Sequence, residues 1–125
     1  MEAMPSTLRP HHDGSPLHVS NPDPRLGDTV EVRMRVPQEF DPVARVLVRS
    51  NPDHEPLWVE ASRDGVADGW EWWSAKIEVA NPRHGYRWHL VMADGSTWAL
   101  SQAGLTRLEP PDAFDFALVA GNPPP

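Results

Sequence analysis

The sequence predicts an all-β fold, a sandwich or a barrel. Short runs of strand-forming residues are separated by turn signals at intervals of about ten residues. Apolar residues alternate with polar ones inside these runs, and no apolar pattern at helical spacing persists for three turns. The chain has 15 prolines and 8 glycines in 125 residues, which favours many turns over long helices. We therefore expect about seven or eight antiparallel strands and almost no helix.

The length supports one domain with a core of its own. Residues 1–10 carry no periodicity and are predicted to be a flexible lead-in. Residues 11–119 contain all of the strand-like runs and are predicted to form the sandwich. Residues 120–125, with the sequence Ala-Gly-Asn-Pro-Pro-Pro, cannot join a sheet because proline has no amide donor. This tail is interpreted as a linker towards a further domain.

Eight runs are candidate strands: Pro16–Ser20, Thr29–Val36, Ala44–Arg49, Leu57–Ala61, Trp70–Val79, Gly85–Ala93, Thr97–Leu100 and Phe114–Val119.

Two of these runs show the alternation most clearly. In Thr29–Val36, valine or methionine occupies every second position and glutamate or arginine lies between, so one face should be buried. In Gly85–Ala93, large apolar side chains again recur with a period of two. The residues that follow, Ala93–Ser96, contain Asp-Gly, which predicts a hairpin turn to the next strand.

Three of the six tryptophans lie within four residues, at positions 70, 72 and 73. Successive strand side chains point to opposite faces, so one face cannot hold all three. Trp73 shares a face with the apolar residues at positions 75, 77 and 79 and is predicted to be core, as is Trp88. Trp70 and Trp72 share the other face with polar residues. Exposed indoles in a soluble domain indicate a binding or docking surface.

A sugar ring suits such a surface because its axial hydrogens form an apolar face that stacks on indole, while its hydroxyl groups reach polar side chains at the margin. The candidate carbohydrate-binding residues are Trp58, Trp70, Trp72 and Trp98.

Composition excludes several classes of function. Eleven basic residues against eighteen acidic ones give a net charge of −7, and the basic residues form no stripe, so nucleic acid is not an expected partner. No apolar run resembles a signal-peptide core or reaches membrane-spanning length, so we expect no membrane partner and a cytoplasmic location. Cysteine is absent, which excludes disulfides, thiolate metal sites and a cysteine nucleophile.

No catalytic constellation is recognisable. Acidic residues fall in turns or on the solvent faces of strands, as expected for solvated charge. His11, His12 and Asp13 could contact a metal, but a solvated loop is the preferred interpretation because neighbouring side chains diverge. The other histidines show no ligand spacing. We therefore expect no catalytic residue, metal or cofactor. The histidines that show no ligand spacing are His18, His54, His84 and His89.

The order of motifs resembles that of a known domain. Trp70–Ala75 resembles the Phe-Asp-Tyr-Trp-Phe-Ala type motif of the N-terminal immunoglobulin-like domain in neopullulanase, cyclomaltodextrinase and maltogenic amylase, members of the α-amylase family. Gly85–Val91, followed by Asp-Gly, is similar to the Arg-Tyr-x-Phe-x-Leu strand and hairpin of that domain. Ser15–Leu17 with Thr29–Arg35 resembles its opening strand pair, and Phe114–Phe116 the segment before the catalytic barrel.

The resemblance implies an immunoglobulin-like β-sandwich of the carbohydrate-binding module family 34 type. It implies a non-catalytic N-terminal domain of a glycoside hydrolase that acts on α-glucans, because the active-site carboxylates of that family lie in the barrel. The expected function is binding or selection of starch or maltooligosaccharide. The alternative is protein interaction, by docking onto the enzyme's own catalytic barrel or onto a second copy of the parent enzyme. A generic sandwich, such as a fibronectin-like adhesion or signalling domain, remains a third hypothesis.

Overall fold

The computed structural model describes residues 9–52 and 55–121, and this part of the chain is almost entirely β. Its regular elements are nine strands and one 3-10 turn: β1 Thr29–Pro37, β2 Val43–Ser50, β3 Leu57–Glu60, β4 Ser62–Ala67, β5 Trp70–Glu78, β6 Arg83–Met92, β7 Thr97–Ser101, β8 Gly104–Thr106, the 3-10 turn Asp112–Phe114, and β9 Phe116–Val119.

The strands form two antiparallel sheets. A three-stranded sheet has the order β1-β5-β4, and a six-stranded sheet has the order β3-β2-β6-β7-β8 with β9 paired to the start of β6. The two sheets pack face to face as an immunoglobulin-like β-sandwich, which confirms the predicted fold class.

The core lies between the sheets and follows the predicted alternation. In the β1–β5 pair, Val32 lies opposite Ala75 and Met34 opposite Trp73, and all four side chains are buried. The second sheet contributes the alternate residues of β6, including Trp88, which is fully buried. A period-two pattern thus places one face of each sheet against the other.

The predicted hairpin joins β6 to β7. Gly95 adopts a φ of 87°, a conformation that favours glycine. The Asp94 carboxylate accepts hydrogen bonds from the Ser96 amide at 2.9 Å and the Ser96 hydroxyl at 2.6 Å. This turn sets the register of Leu90 opposite Trp98.

The structure differs from the predicted strands at four places. The predicted strand Phe114–Val119 begins only at Phe116, because Phe114 ends the 3-10 turn. Pro16–Ser20 is not a strand: residues 16–18 form a turn, and Val19 makes one isolated bridge to Val32. β4 was not predicted because all of its residues are exposed, so no buried alternation marks it. β8 was not predicted because three residues are too few to show a period.

The ends of the described chain are bonded to the sandwich. The His11 amide donates to the Arg35 carbonyl at 2.8 Å. At the other end, Ala120 and Gly121, which the sequence analysis assigned to the linker, donate to Pro82 and Pro24 at 2.8 Å each. Most of the predicted lead-in (1–8), most of the tail (122–125) and His54 lie outside the described residues. Within the described ranges no helix has the length and apolarity needed to cross a bilayer.

Candidate functional site

The six tryptophans divide into core residues and surface residues. Trp73 and Trp88 are 6% and 0% exposed, as predicted. The Trp73 indole N–H is satisfied by the Glu71 carboxylate at 2.8 Å, which also pairs with Arg63. The other four tryptophans lie at three separate places, so the structure does not bring them together in one platform. They are Trp58 on β3, Trp70 and Trp72 on β5, and Trp98 on β7.

Trp70 and Trp72 lie on the outer face of the three-stranded sheet, in the phase opposite to Trp73. Both rings are half-buried because arginines from β1 cover them. The Arg35 guanidinium carbon is 4.4 Å from the Trp70 ring centre, and that of Arg33 is 4.7 Å from the Trp72 ring centre. These are diagonal cross-strand neighbours, since Arg35 is directly opposite Trp72. The surface is therefore a cation–π ladder rather than a pair of bare indoles.

Trp58 lies on the outer face of the six-stranded sheet and is 49% exposed. It is opposite Arg49 on β2, and its ring centre is 4.8 Å from that of His89 in an edge contact. His89 is also 3.1 Å from a Glu109 carboxylate oxygen, and burial lowers the pKa of its imidazole. An open indole face thus stands beside hydrogen-bonding groups on neighbouring strands.

Trp98 has a different setting from the other three. It is opposite the buried Leu90, so it points towards the inner face at the edge of the sandwich and packs against the core. The Arg107 guanidinium carbon is 3.8 Å from its ring centre. A shallow groove beside it is lined by Phe40 and Leu105 and by the charged residues Arg9, Glu39 and Asp41.

Arg87 is a structural residue that the sequence analysis did not identify. It lies in the outward phase of β6 yet is 1% exposed, because residues 109–115 cover it. Its guanidinium donates to Asp115 at 2.7 Å, Asp112 at 2.6 Å and Glu109 at 2.8 Å, and to the carbonyl of residue 110 at 2.7 Å. Burial alone would lower the pKa of Arg87. The hydrogen bonds to Asp115 and Glu109 and the charges of these residues have a larger effect and raise it. The signal in the sequence was three acidic residues within seven positions after β8.

His12 is also buried, which contradicts the expectation of a solvated loop at this position. Its Nδ1–H donates to the Arg33 carbonyl at 2.6 Å, and its Nε2 therefore accepts from the Tyr86 hydroxyl at 2.7 Å. Burial lowers the pKa of His12 to about 4, and burial raises the pKa of Tyr86. His12 thus serves as a neutral hydrogen-bonding bridge between the N-terminal segment and both sheets.

His11 and Asp13 converge with His18 instead of His12. His11 Nε2 is 2.8 Å from one Asp13 oxygen, and His18 Nδ1 is 3.0 Å from the other. Burial would raise the pKa of Asp13, but hydrogen bonds from Ser15 and His11 hold it well below its usual range. Burial lowers the pKa of His18. This cluster could not be predicted from the sequence because the turn at 16–18 brings His18 back towards Asp13.

No family model matches the chain, and no curated protein matches it. Solved structures do match. Cyclomaltodextrinase superposes with a TM-score of 0.70 at 16% identity, covering 87% of this chain and 18% of that one. The type III pullulan hydrolase from Thermococcus kodakarensis gives 0.58 at 16% identity, covering 86% and 16%. The cycloalternan-forming enzyme from Listeria monocytogenes, in complex with a pentasaccharide substrate, gives 0.61 at 15% identity, covering 90% and 10%.

These likenesses show the fold. The chain spans less than a fifth of the length of each of these three proteins. It therefore has the fold of one small part of a much larger chain in each case, and neither activity nor ligand follows from the superposition alone.

Proposed function

We propose that this chain is a non-catalytic accessory domain of a glycoside hydrolase that acts on α-glucans, and that it binds maltooligosaccharide. Two independent lines support the same class of parent protein. The motif order resembles the N-terminal domain of α-amylase-family enzymes. The structural neighbours bear names that refer to cyclomaltodextrin, pullulan and cycloalternan, all of which are glucans.

The observation that carries the sugar-binding proposal is the open indole of Trp58. Its exposed half offers the flat apolar surface on which a glucose ring stacks. Arg49 lies opposite it on the same face, where its guanidinium is available to sugar hydroxyl groups. Trp70 and Trp72 rank second because a sugar would have to displace, or lie against, the arginines that cover them.

The state of the carboxylates supports a non-catalytic role. Glu60 pairs with Arg45 at 2.9 Å and Glu71 with Arg63 at 2.8 Å. The acidic residues of 109–115 are bonded to Arg87. A glycosidase needs two opposed carboxyl groups facing a shared cleft, whereas these five carboxylates are engaged in ion pairs with arginine.

Affinity electrophoresis tests the proposal. We expect amylose or glycogen in the gel to retard the wild-type domain and Trp58→Ala to weaken the apparent affinity by about fivefold or more, because truncation of a central indole commonly costs over ~1 kcal/mol. Leu57→Ala is the matched control, since Leu57 is an exposed apolar neighbour on the same strand. Because one stacked ring supplies little binding energy, we expect weak affinity, and glucan should be supplied at millimolar concentrations of sugar units. Equal retardation of Trp58→Ala and the wild type would contradict the role of Trp58.

A second candidate function is docking onto a catalytic barrel or a second copy. One observation favours it: Leu108 is 83% exposed and Phe114 is 44% exposed, and both lie beside Trp98 in the connection between β8 and β9. Neighbouring exposed apolar side chains mark interaction sites.

This candidate predicts a change in assembly without a change in sugar affinity. Leu108→Asp in the full-length parent enzyme should convert a dimer to a monomer in light scattering, because a carboxylate would be buried unpaired at the interface. Leu57→Asp should leave the mass unchanged and serves as the control. A dimer that withstands Leu108→Asp argues against docking through this surface.

A further inference from the structure

The cluster of His11, Asp13 and His18 has the composition of a transition-metal site. Two imidazole nitrogens and one carboxylate oxygen lie within 4.8 Å of one another. Imidazole with carboxylate suits zinc and its neighbours in the first transition row, whereas calcium and magnesium prefer all-oxygen sites. We propose that these three side chains bind a zinc-class divalent cation, with a fourth position open to water.

The distances suit this ligand set. In a tetrahedral zinc site with bonds of about 2.0–2.1 Å, neighbouring ligand atoms are about 3.3 Å apart. The two closest pairs here are His11 Nε2 to Asp13 at 2.8 Å and His18 Nδ1 to Asp13 at 3.0 Å. These two contacts use different oxygens of the Asp13 carboxylate, and the three ligand atoms lie within 4.8 Å of one another. Ligation of one ion therefore needs shifts of up to about 1.5 Å, which rotations about the side-chain bonds of the partly exposed His11 and Asp13 supply.

The backbone holds the ligand residues in place. His11 exchanges two amide hydrogen bonds with Arg35, at 2.8 and 3.0 Å, and the His18 carbonyl accepts from the Arg33 amide at 2.7 Å. Both histidines are thereby fixed along β1. The Ser15 amide donates to Asp13 at 2.9 Å and orients its carboxylate, which is the kind of outer-shell support that metal ligands require.

The solvent access of the cluster and the hydrogen bonding of the His18 ring are also compatible with metal binding. The side chains of His11 and Asp13 are 40% and 45% exposed, so an ion has an entry path. His18 is buried, and within the described structure its Nε2 has no hydrogen-bond partner. When the proton moves to Nε2, His18 gives up its Nδ1–H contact with Asp13, and the Nδ1 lone pair becomes available to the metal. The positive charge of Arg35 acts on His18 and should weaken the site relative to four-ligand structural zinc sites.

The cation would close the turn between His11 and His18 and stiffen the edge of the sheet next to Trp72. The His18 ring centre is 5.5 Å from that of Trp72. Metal binding at the cluster should therefore be visible in tryptophan fluorescence as well as in calorimetry.

The test is titration of the protein, purified without a polyhistidine tag, with Zn²⁺ in a calorimeter and with Co²⁺ or Ni²⁺ in a fluorimeter. We expect one Zn²⁺ per chain, quenching by Co²⁺ or Ni²⁺, and a loss of affinity of about tenfold or more in His11→Ala and Asp13→Ala. These two positions are partly exposed, so the variants should fold, and circular dichroism checks this. His89→Gln is the matched control, since His89 also contacts a carboxylate but, among the described residues, belongs to no group of three potential ligands.

Two results would overturn the proposal. One is the absence of Zn²⁺ binding to the wild type up to about 1 mM, which corresponds to about −4 kcal/mol. The other is equal affinity in the wild type, His11→Ala and Asp13→Ala. Neither result bears on glucan binding, which depends on Trp58 on the other sheet.

Discussion

Arg87→Ala should destabilise the domain by about 3–5 kcal/mol, because removal of one partner of a buried ion pair leaves the other charge buried without compensation. Asp115 is 8% exposed and would keep its carboxylate in that setting. Residues 109–115 should then detach from β6, since Arg87 holds three of their side chains and one carbonyl. A domain of this size has only about 5–15 kcal/mol of stability in total. We expect a large fall in the urea midpoint.

The matched control is Arg45→Ala, which breaks an exposed ion pair with Glu60 and should shift the midpoint little. The double variant Arg87→Ala with Asp115→Ala should be less destabilised than the sum of the single variants, because the orphaned charge is gone. A midpoint for Arg87→Ala equal to that of Arg45→Ala would show that the buried cluster contributes no net stability.

A fall in pH from 6.5 to about 4 should destabilise the domain, because the buried His12 imidazole resists protonation in the folded state. Burial lowers the folded-state pKa of His12 to about 4 from 6.5. In this window the unfolded chain binds a proton that the native chain does not, so the free energy of unfolding falls as the pH falls. The contribution of His12 to the free energy of unfolding is fully present above pH 6.5. About 3 kcal/mol of it is lost as the pH falls to about 4. His18 and His84, whose pKa values burial also lowers, act in the same direction.

Urea unfolding at pH 7 and pH 4.5, with a chelator present, measures this effect. His12→Gln removes the titrating group and should flatten the dependence, although it lowers stability at pH 7. Asp115 acts in the opposite direction because burial raises its folded-state pKa. The comparison of wild type with His12→Gln therefore isolates His12. Parallel pH profiles for the two proteins would refute the assignment.

The sequence predicted the fold because period-two patterns survive without knowledge of tertiary contacts. Trp73 was placed in the core and Trp70 and Trp72 on the opposite face from spacing alone. The arginines that cover the outer indoles could not be predicted in the same way, since the cation–π contacts depend on the register of β1 against β5.

Long-range contacts explain what the sequence did not reveal. Arg87 lies in an alternating strand that looks half-solvated, and only the path of residues 109–115 buries it. His12 is separated by 74 residues from Tyr86, its hydrogen-bond partner. The cluster of His11, Asp13 and His18 depends on a turn where a strand was expected. In each case the contact depends on tertiary packing, which the local pattern of residues does not reveal.

A maltooligosaccharide titration monitored by the indole N–H signals in a ¹⁵N correlation spectrum tests sugar binding at each tryptophan separately. The chain has six tryptophans, so each indole reports on its own site. We expect the Trp58 signal to shift progressively over millimolar concentrations of sugar, while the buried Trp73 and Trp88 signals stay in place. A spectrum in which no indole signal moves at about 10 mM sugar would contradict the claim that this domain binds α-glucan through an exposed indole.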